Sequence, residues 1–180
     1  MKQIDYIKLS RANFGLNSLD GFKRRQKVTH CWRRRGGEYA LTPVTYTEDW
    51  DLNELKEVSE KILTALNGGA TAYGAVYNGE IVGFALVLSK LFGTEKQYAD
   101  LAEFYVSEPF RRRGIGKRLF CLACGAAKEL GAKKLYISAH SAEDSIAAYK
   151  SYGCVLATEV NKTLAEKEPC DLQLEYDLFK

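Results

Sequence analysis

Apolar residues along the chain alternate in short runs or recur at helical spacing, and the period changes at breaks rich in glycine or asparagine. The clearest stretch is TAYGAVYNGEIVGFALVL, Thr71 to Leu88, where two β-rich runs meet at Asn78-Gly79. That dipeptide tolerates the positive φ angles of a tight turn, so the spacing predicts a β-hairpin. YADLAEFYV, Tyr98 to Val106, predicts a third antiparallel strand, which Pro109 interrupts. From Ile115 the positions Leu119, Leu122, Ala126 and Leu130 recur at helical spacing until Gly131, and KLYISAH, Lys134 to His140, then reads as a buried strand. Ser141, with Asp144 three positions on, forms a capping-box-like pair and predicts a helix that Gly153 closes. CVLATEV and CDLQLEYDL predict two final strands.

The first third of the chain is less regular. IDYIKLS predicts a first strand, and residues 11–49 have a basic, partly helical character with no clean period. In EDWDLNELKEVSEKILTALNGG, Asp49 or Asp51 offers an N-cap, Leu52, Leu55, Ile62 and Leu66 form one stripe, and Asn67-Gly68 marks the end. The resulting order predicts an α/β fold with a single mixed, largely antiparallel central sheet flanked by helices. No repeat, low-complexity tract or Pro/Ser linker divides the 180 residues, so one domain over residues 1–180 is expected.

Composition narrows the classes. Hydrophobic residues make up 46% and charged residues 27%, which excludes disordered and fibrous chains. No run of about 18 apolar residues is present to span a bilayer, and charges break up the N-terminal MKQIDYIKLSRANF. A cytoplasmic protein without a membrane partner is expected. The odd count of 5 cysteines argues for reduced thiols. Cys121-x-x-Cys124 falls inside a predicted helix, with no second such pair and only 2 histidines, so no metal site is expected. The net charge of +3 conceals the segment Lys23 to Arg35, where seven basic residues meet no acidic one. A solvated face is the preferred reading and a patch for nucleic acid or an acidic partner the other.

The chemistry centres on SEPFRRRGIGKRLF, Ser107 to Phe120. A helix N-terminus carries unpaired N–H groups and partial positive charge, so it attracts anions. Gly114 and Gly116 remove the Cβ atoms that would keep a phosphate away, and Arg111, Arg112, Arg113, Lys117 and Arg118 add charge. The three-glycine dinucleotide fingerprint fails because Leu119 occupies its last position, and no G-x-x-x-x-G-K-[ST] loop is present.

The run R-x-x-G-x-G at Arg111 to Gly116, after the strand FYVSEPF and before an amphipathic helix, resembles motif A of the GNAT N-acetyltransferases. SIAAYKSYGCV is similar to that family's later motif around a tyrosine, and the resemblance covers residues 70–178. It implies that Arg111, Arg112, Arg113, Gly114, Ile115, Gly116 and Lys117 hold the pyrophosphate of acetyl-CoA as co-substrate, and that Phe104, Tyr105 and Val106 pair with the pantetheine amides. It also implies that Tyr149 serves the departing thiolate, and that residues 11–66 form a variable helical region on the substrate side. The chain departs from the family in HSAED, where an asparagine often stands near the start of the second motif, and at Cys154, which replaces an aromatic.

Acetylation needs a neutral amine, yet a lysine-like amine has a pKa of about 10.4. A carboxylate, directly or through water, has to take the proton. Glu103 and Asp100 are the candidates, with Glu103 slightly preferred; in a regular strand they face opposite ways, so only one would serve unless a bulge intervenes. His140 is a candidate to orient substrate or relay protons, and Trp50 among the acids of TEDWD could offer a π face to a cation. The reading is an N-acetyltransferase that modifies a primary amine of a small molecule or peptide by direct attack, as monomer or homodimer. The alternative is a catalytically silent acyl-CoA-binding module with an interaction segment at Lys23 to Arg35.

Overall fold

A computed structural model describes residues 3–180. In chain order its elements are β1 (Asp5–Leu9), β2 (Arg25–Arg35), β3 (Glu38–Asp49), α1 (Leu52–Asn67), β4 (Thr71–Tyr77), β5 (Glu80–Val87) and β6 (Tyr98–Val106), then α2 (Ile115–Glu129), β7 (Lys134–Ala139), α3 (Glu143–Tyr152), β8 (Val155–Leu156), α4 (Lys162–Lys167) and β9 (Leu172–Asp177). Seven strands form one sheet in the order β1-β4-β5-β6-β7-β9-β8. Neighbours are antiparallel except β6 and β7.

The expected hairpin turns at Asn78 and Gly79, both with positive φ, and β6 has the bounds its alternation predicts. Leu119, Ala123 and Ala126 of α2 are buried against one face of the sheet with Val82, Ala85, Leu135 and Ile137. Removing a side chain such as Leu119 from water stabilises by roughly 1.5–3 kcal/mol. A Cβ on Gly83 would stand 2.9 Å from Leu119 Cδ1 and 3.2 Å from Ile115 Cγ2, so the bare backbone of β5 is what lets the first turn of α2 lie against it. On the other face, Leu55 and Ile62 of α1 pack with Leu9, Phe84 and Leu86. Asp51 caps α1 through the N–H groups of Asn53 and Glu54, and Glu54 returns a bond to the Asp51 N–H.

Four expectations are corrected. The region 11–66 is helical only in α1; Arg25–Asp49 is a two-stranded antiparallel arm, a second sheet beside the main one. Its buried side chains are few, with Val28 and Cys31 packed on Ala142, so no apolar alternation runs through it. Ser141 does not cap α3, whose N-cap is Ala142 without a side-chain bond. Instead the Ser141 carbonyl accepts the Trp32 N–H at 2.8 Å and its Oγ accepts from Arg33 Nη1 at 2.6 Å, which ties the arm to the sheet. Helix α4 separates the last two strands, and Asn161 caps it. Leu52 is exposed rather than part of the buried stripe.

Candidate active site

The parallel pair β6–β7 joins only at Tyr98–Lys134, Ala99–Leu135 and Asp100–Tyr136. Beyond Asp100, β6 stays with β5 through Val106, while β7 stays with β9 through Ala139. The two strands therefore splay, and the β6 backbone from Leu101 onward has a side that no strand covers. An extended amide chain can add to such an edge.

At the far end of that edge lies the basic turn. A 3-10 turn, Glu108–Phe110, leads into Arg112 at φ 60 and Gly114 at φ 80, the N-cap of α2, which has no side-chain cap bond. The first helical bond runs from Arg118 N–H to Gly114 O at 3.1 Å, so the N–H groups ahead of it remain for a ligand. Left-handed backbone is natural for glycine and strained for other residues. Ile115 points its side chain into the core, 2% exposed, and offers only its backbone here. A Cβ on Gly116 would lie 2.8 Å from Tyr152 Oη, so this position too is held to glycine. Of the cations, Arg112 and Lys117 are exposed, Arg111 Nε donates to Val106 O at 3.0 Å, Arg113 lies over Phe110 and Arg118 over Tyr6.

Opposite faces of β6 carry different chemistry. Towards α2 and α3, Phe104 packs against Phe120, Tyr149 and Tyr152. The Tyr149 hydroxyl is desolvated, which raises its pKa well above the ordinary phenol value and keeps it a neutral donor. Towards α1, a bulge alters the alternation, because Leu86 opposes Glu103 but Val87 opposes Leu101 and Ala102 is extra. Asp100 and Glu103 thus share one side. Both are buried, at 8% and 6% exposure, and Lys61 from α1 pairs with Glu103. Burial raises Asp100 to about 6, Lys61 opposes that shift and Glu103 adds to it.

Sequence reasoning missed Lys61, Arg24 and Asp171, and it singled out Glu48 only as one of the acids of TEDWD. Arg24 Nη2 donates to Glu48 Oε2 at 2.8 Å, and the guanidinium lies over the rings of Trp50 and Tyr105. Trp50 therefore already has a cation against it. Glu48 Oε1 stands 2.9 Å from His140 Nε2. That hydrogen bond, with Arg24, holds the Glu48 carboxyl below the usual range. His140 Nδ1 faces Ala142 N–H at 3.3 Å and Nε2 faces Glu48 and Tyr46 Oη, so the ring anchors the arm rather than standing free. Burial raises the carboxyl of Asp171, at the head of β9, despite nearby His140. Only a position within a basic run marked Arg24, and nothing in sequence distinguished it from its neighbours.

Cys121 and Cys124 lie inside α2, and burial pushes Cys124 up to about 12, an unreactive thiol. Among the described residues no group of three or more His, Cys, Asp or Glu could hold a metal, and no helix is long and apolar enough to cross a membrane. A surface depression of about 490 Å³ near Arg11, Phe14, Glu60 and Leu63 includes none of the groups above.

Residues 31–154 match the model of the acetyltransferase (GNAT) family. The uncharacterized N-acetyltransferase YjgM of Escherichia coli (strain K12) is 30% identical over 129 residues, 70% of this chain and 73% of that protein. The crystal structure of nourseothricin acetyltransferase superposes with a TM-score of 0.72 at 16% identity, covering 97% of this chain and 98% of that one. A structure from Bacillus anthracis str. Ames in complex with acetyl coenzyme A gives 0.66 at 20% identity, covering 96% of each chain. At such identities the structural likeness shows the shared fold.

Proposed function

Since this chain belongs to the GNAT family of acetyltransferases, we propose that residues 1–180 form one domain that transfers the acetyl group of acetyl-CoA to a primary amine of a small molecule or peptide by direct attack. The observation that carries this reading is the splay of β6 from β7 beyond Asp100, with an uncapped helix N-terminus and its cations at the far end. Pantetheine amides fit the open edge beside Phe104, Tyr105 and Val106. The diphosphate fits the turn Arg111 to Lys117, through the N–H groups from Arg112 on, since Arg111 N–H is held by Glu108 O, and no side chain has to fill the space above Gly114.

In this scheme the amine nitrogen forms a bond to the thioester carbonyl carbon, the tetrahedral adduct collapses, the C–S bond breaks with its electron pair going to sulfur, and the surplus proton of the nitrogen ends on the thiolate. Asp100 takes the ammonium proton, directly or through water. Its pKa of about 6 suits a base better than the ion-paired Glu103, which orients the amine with Lys61. Tyr149 hydrogen-bonds to the developing thiolate. A phenol loses its proton to a thiolate uphill, so hydrogen bonding with resupply of the proton is the economical role. A cytoplasmic setting and a monomer or homodimer fit this activity.

The test is thiol release from acetyl-CoA across a panel of primary amines. Release that depends on amine supports the reading. Binding of acetyl-CoA without release from any amine contradicts turnover.

A further inference from the structure

Arg24 is 5% exposed, yet its Nε and Nη1 find no hydrogen-bond acceptor among the described residues. Its remaining nitrogen, Nη2, meets Glu48, and Glu48 also serves His140. A buried guanidinium with idle N–H groups is costly, because both the charge and the donors have lost water. Glu48 offsets part of the charge, while Arg111 is close enough for the two cations to disfavour each other.

The backbone around Arg24 is fixed. Lys23 N–H donates to Ser107 Oγ at 3.0 Å, Glu108 N–H to Lys23 O at 2.9 Å, and Trp50 N–H to Arg24 O at 3.3 Å. These bonds set the side chain against Tyr105, two positions along β6 from Glu103 and on the same face. Trp50 and Tyr105 shield the guanidinium from bulk water, so an anion meeting it there does so at low dielectric, where a charged hydrogen bond is strong.

We propose that Arg24 is a specificity residue that receives a carboxylate of the acceptor, so that the preferred substrates are amines that also carry a carboxylate group. The inference rests on the acetyltransferase reading of the same site. The amine end lies at Asp100 and Glu103 and the acid end at Arg24, whose guanidinium Glu48 holds against Tyr105 and Trp50. An anion of acetyl-CoA itself is the other source of such a charge, and the experiment separates the two.

The probes are matched pairs, with and without the acid: β-alanine against ethylamine, 4-aminobutyrate against propylamine, and L-lysine against cadaverine. Thiol release is measured for each, and acetyl-CoA binding is followed separately by calorimetry. At least one acid-bearing amine should exceed its partner in kcat/KM by about tenfold or more, the factor a charged hydrogen bond supplies. Arg24→Gln should abolish that preference through the KM of the acceptor, with acetyl-CoA affinity unchanged, and Arg24→Lys should restore part of it. Equal or better turnover of the amines lacking the acid overturns the proposal, whereas a panel with no turnover while acetyl-CoA still binds removes the functional reading beneath it. Loss of acetyl-CoA affinity in a folded Arg24→Gln protein also overturns the proposal, assigning Arg24 to the coenzyme. If Arg24→Gln does not fold, the wild-type pairs decide alone. Failure of acetyl-CoA to bind the wild type would likewise remove the underlying functional reading.

Discussion

Asp100 and Glu103 stand on one side of β6 although three positions separate them, because the extra residue Ala102 shifts the alternation between them. Two buried carboxylates and the single ammonium of Lys61 thereby share the face that looks towards α1 and the arm. Burial is the main reason Asp100 is raised to about 6; Lys61 opposes the shift and the charge of Glu103 adds to it.

Activity should follow Asp100. Its carboxyl is raised from 3.8 to about 6, so the base form appears as pH rises through 6. The kcat/KM profile should climb through that pH, and Asp100→Asn should remove the climb and lower the rate by about 10²–10⁴-fold. Lys61→Met removes the charge that favours ionised Asp100, so the climb should move to higher pH. A profile that does not respond to either change assigns the proton to another group.

Stability should move the opposite way. A carboxyl whose folded pKa is raised stabilises fully below its unfolded value and loses that contribution as pH rises through the folded value, here the window from about 4 to 6. At pH 8 the ionised Asp100 costs on the order of 2–3 kcal/mol. Asp100→Asn should therefore raise Tm at pH 8 and change it little at pH 4, as thermal unfolding at the two pH values checks.

Tyr149→Phe deletes one hydroxyl from a packed aromatic cluster with Phe104 and Tyr152. It should lower kcat by at least about tenfold and leave the KM for acetyl-CoA within about twofold. An unchanged kcat removes the hydroxyl from the reaction.

Two alanine substitutions in the turn separate backbone conformation from space. Gly114 has φ 80 and nothing near its missing Cβ, so Gly114→Ala costs about 1 kcal/mol of strain and should weaken acetyl-CoA binding by rotating the turn. Gly116→Ala drives Cβ into Tyr152 Oη at 2.8 Å and should lower stability as well as affinity. Titration calorimetry and thermal unfolding on both variants check this.

Much of the site was legible because its elements bury one face each. The Asn78-Gly79 turn, the alternation of β6 and the spacing of α2 all encode packing, and packing puts Gly114 at a helix start. The arm Arg25–Asp49 was not legible, since a two-stranded arm with so few buried side chains has no sustained apolar period, and the register shift between Val28 and His30 disturbs what alternation it has. Ser141 looked like a cap because local spacing cannot show that Arg33, 108 positions away, would take its hydroxyl. The bulge at Ala102 was open in sequence as one of two geometries, and its choice depends on pairing with Leu86 and Val87. Arg24 and Lys61 come against Tyr105 and Glu103 of β6 only through tertiary packing, and no local pattern marks them.

The central claim is that the turn Arg111 to Lys117 and the open edge of β6 together hold acetyl-CoA. Calorimetric titration of acetyl-CoA against S-acetylpantetheine, which lacks the diphosphate and nucleotide, tests it most directly. Saturable heat with acetyl-CoA, and binding weaker by about tenfold or more for S-acetylpantetheine, is the predicted result. A folded protein that binds both equally, or gives no heat with acetyl-CoA, contradicts it.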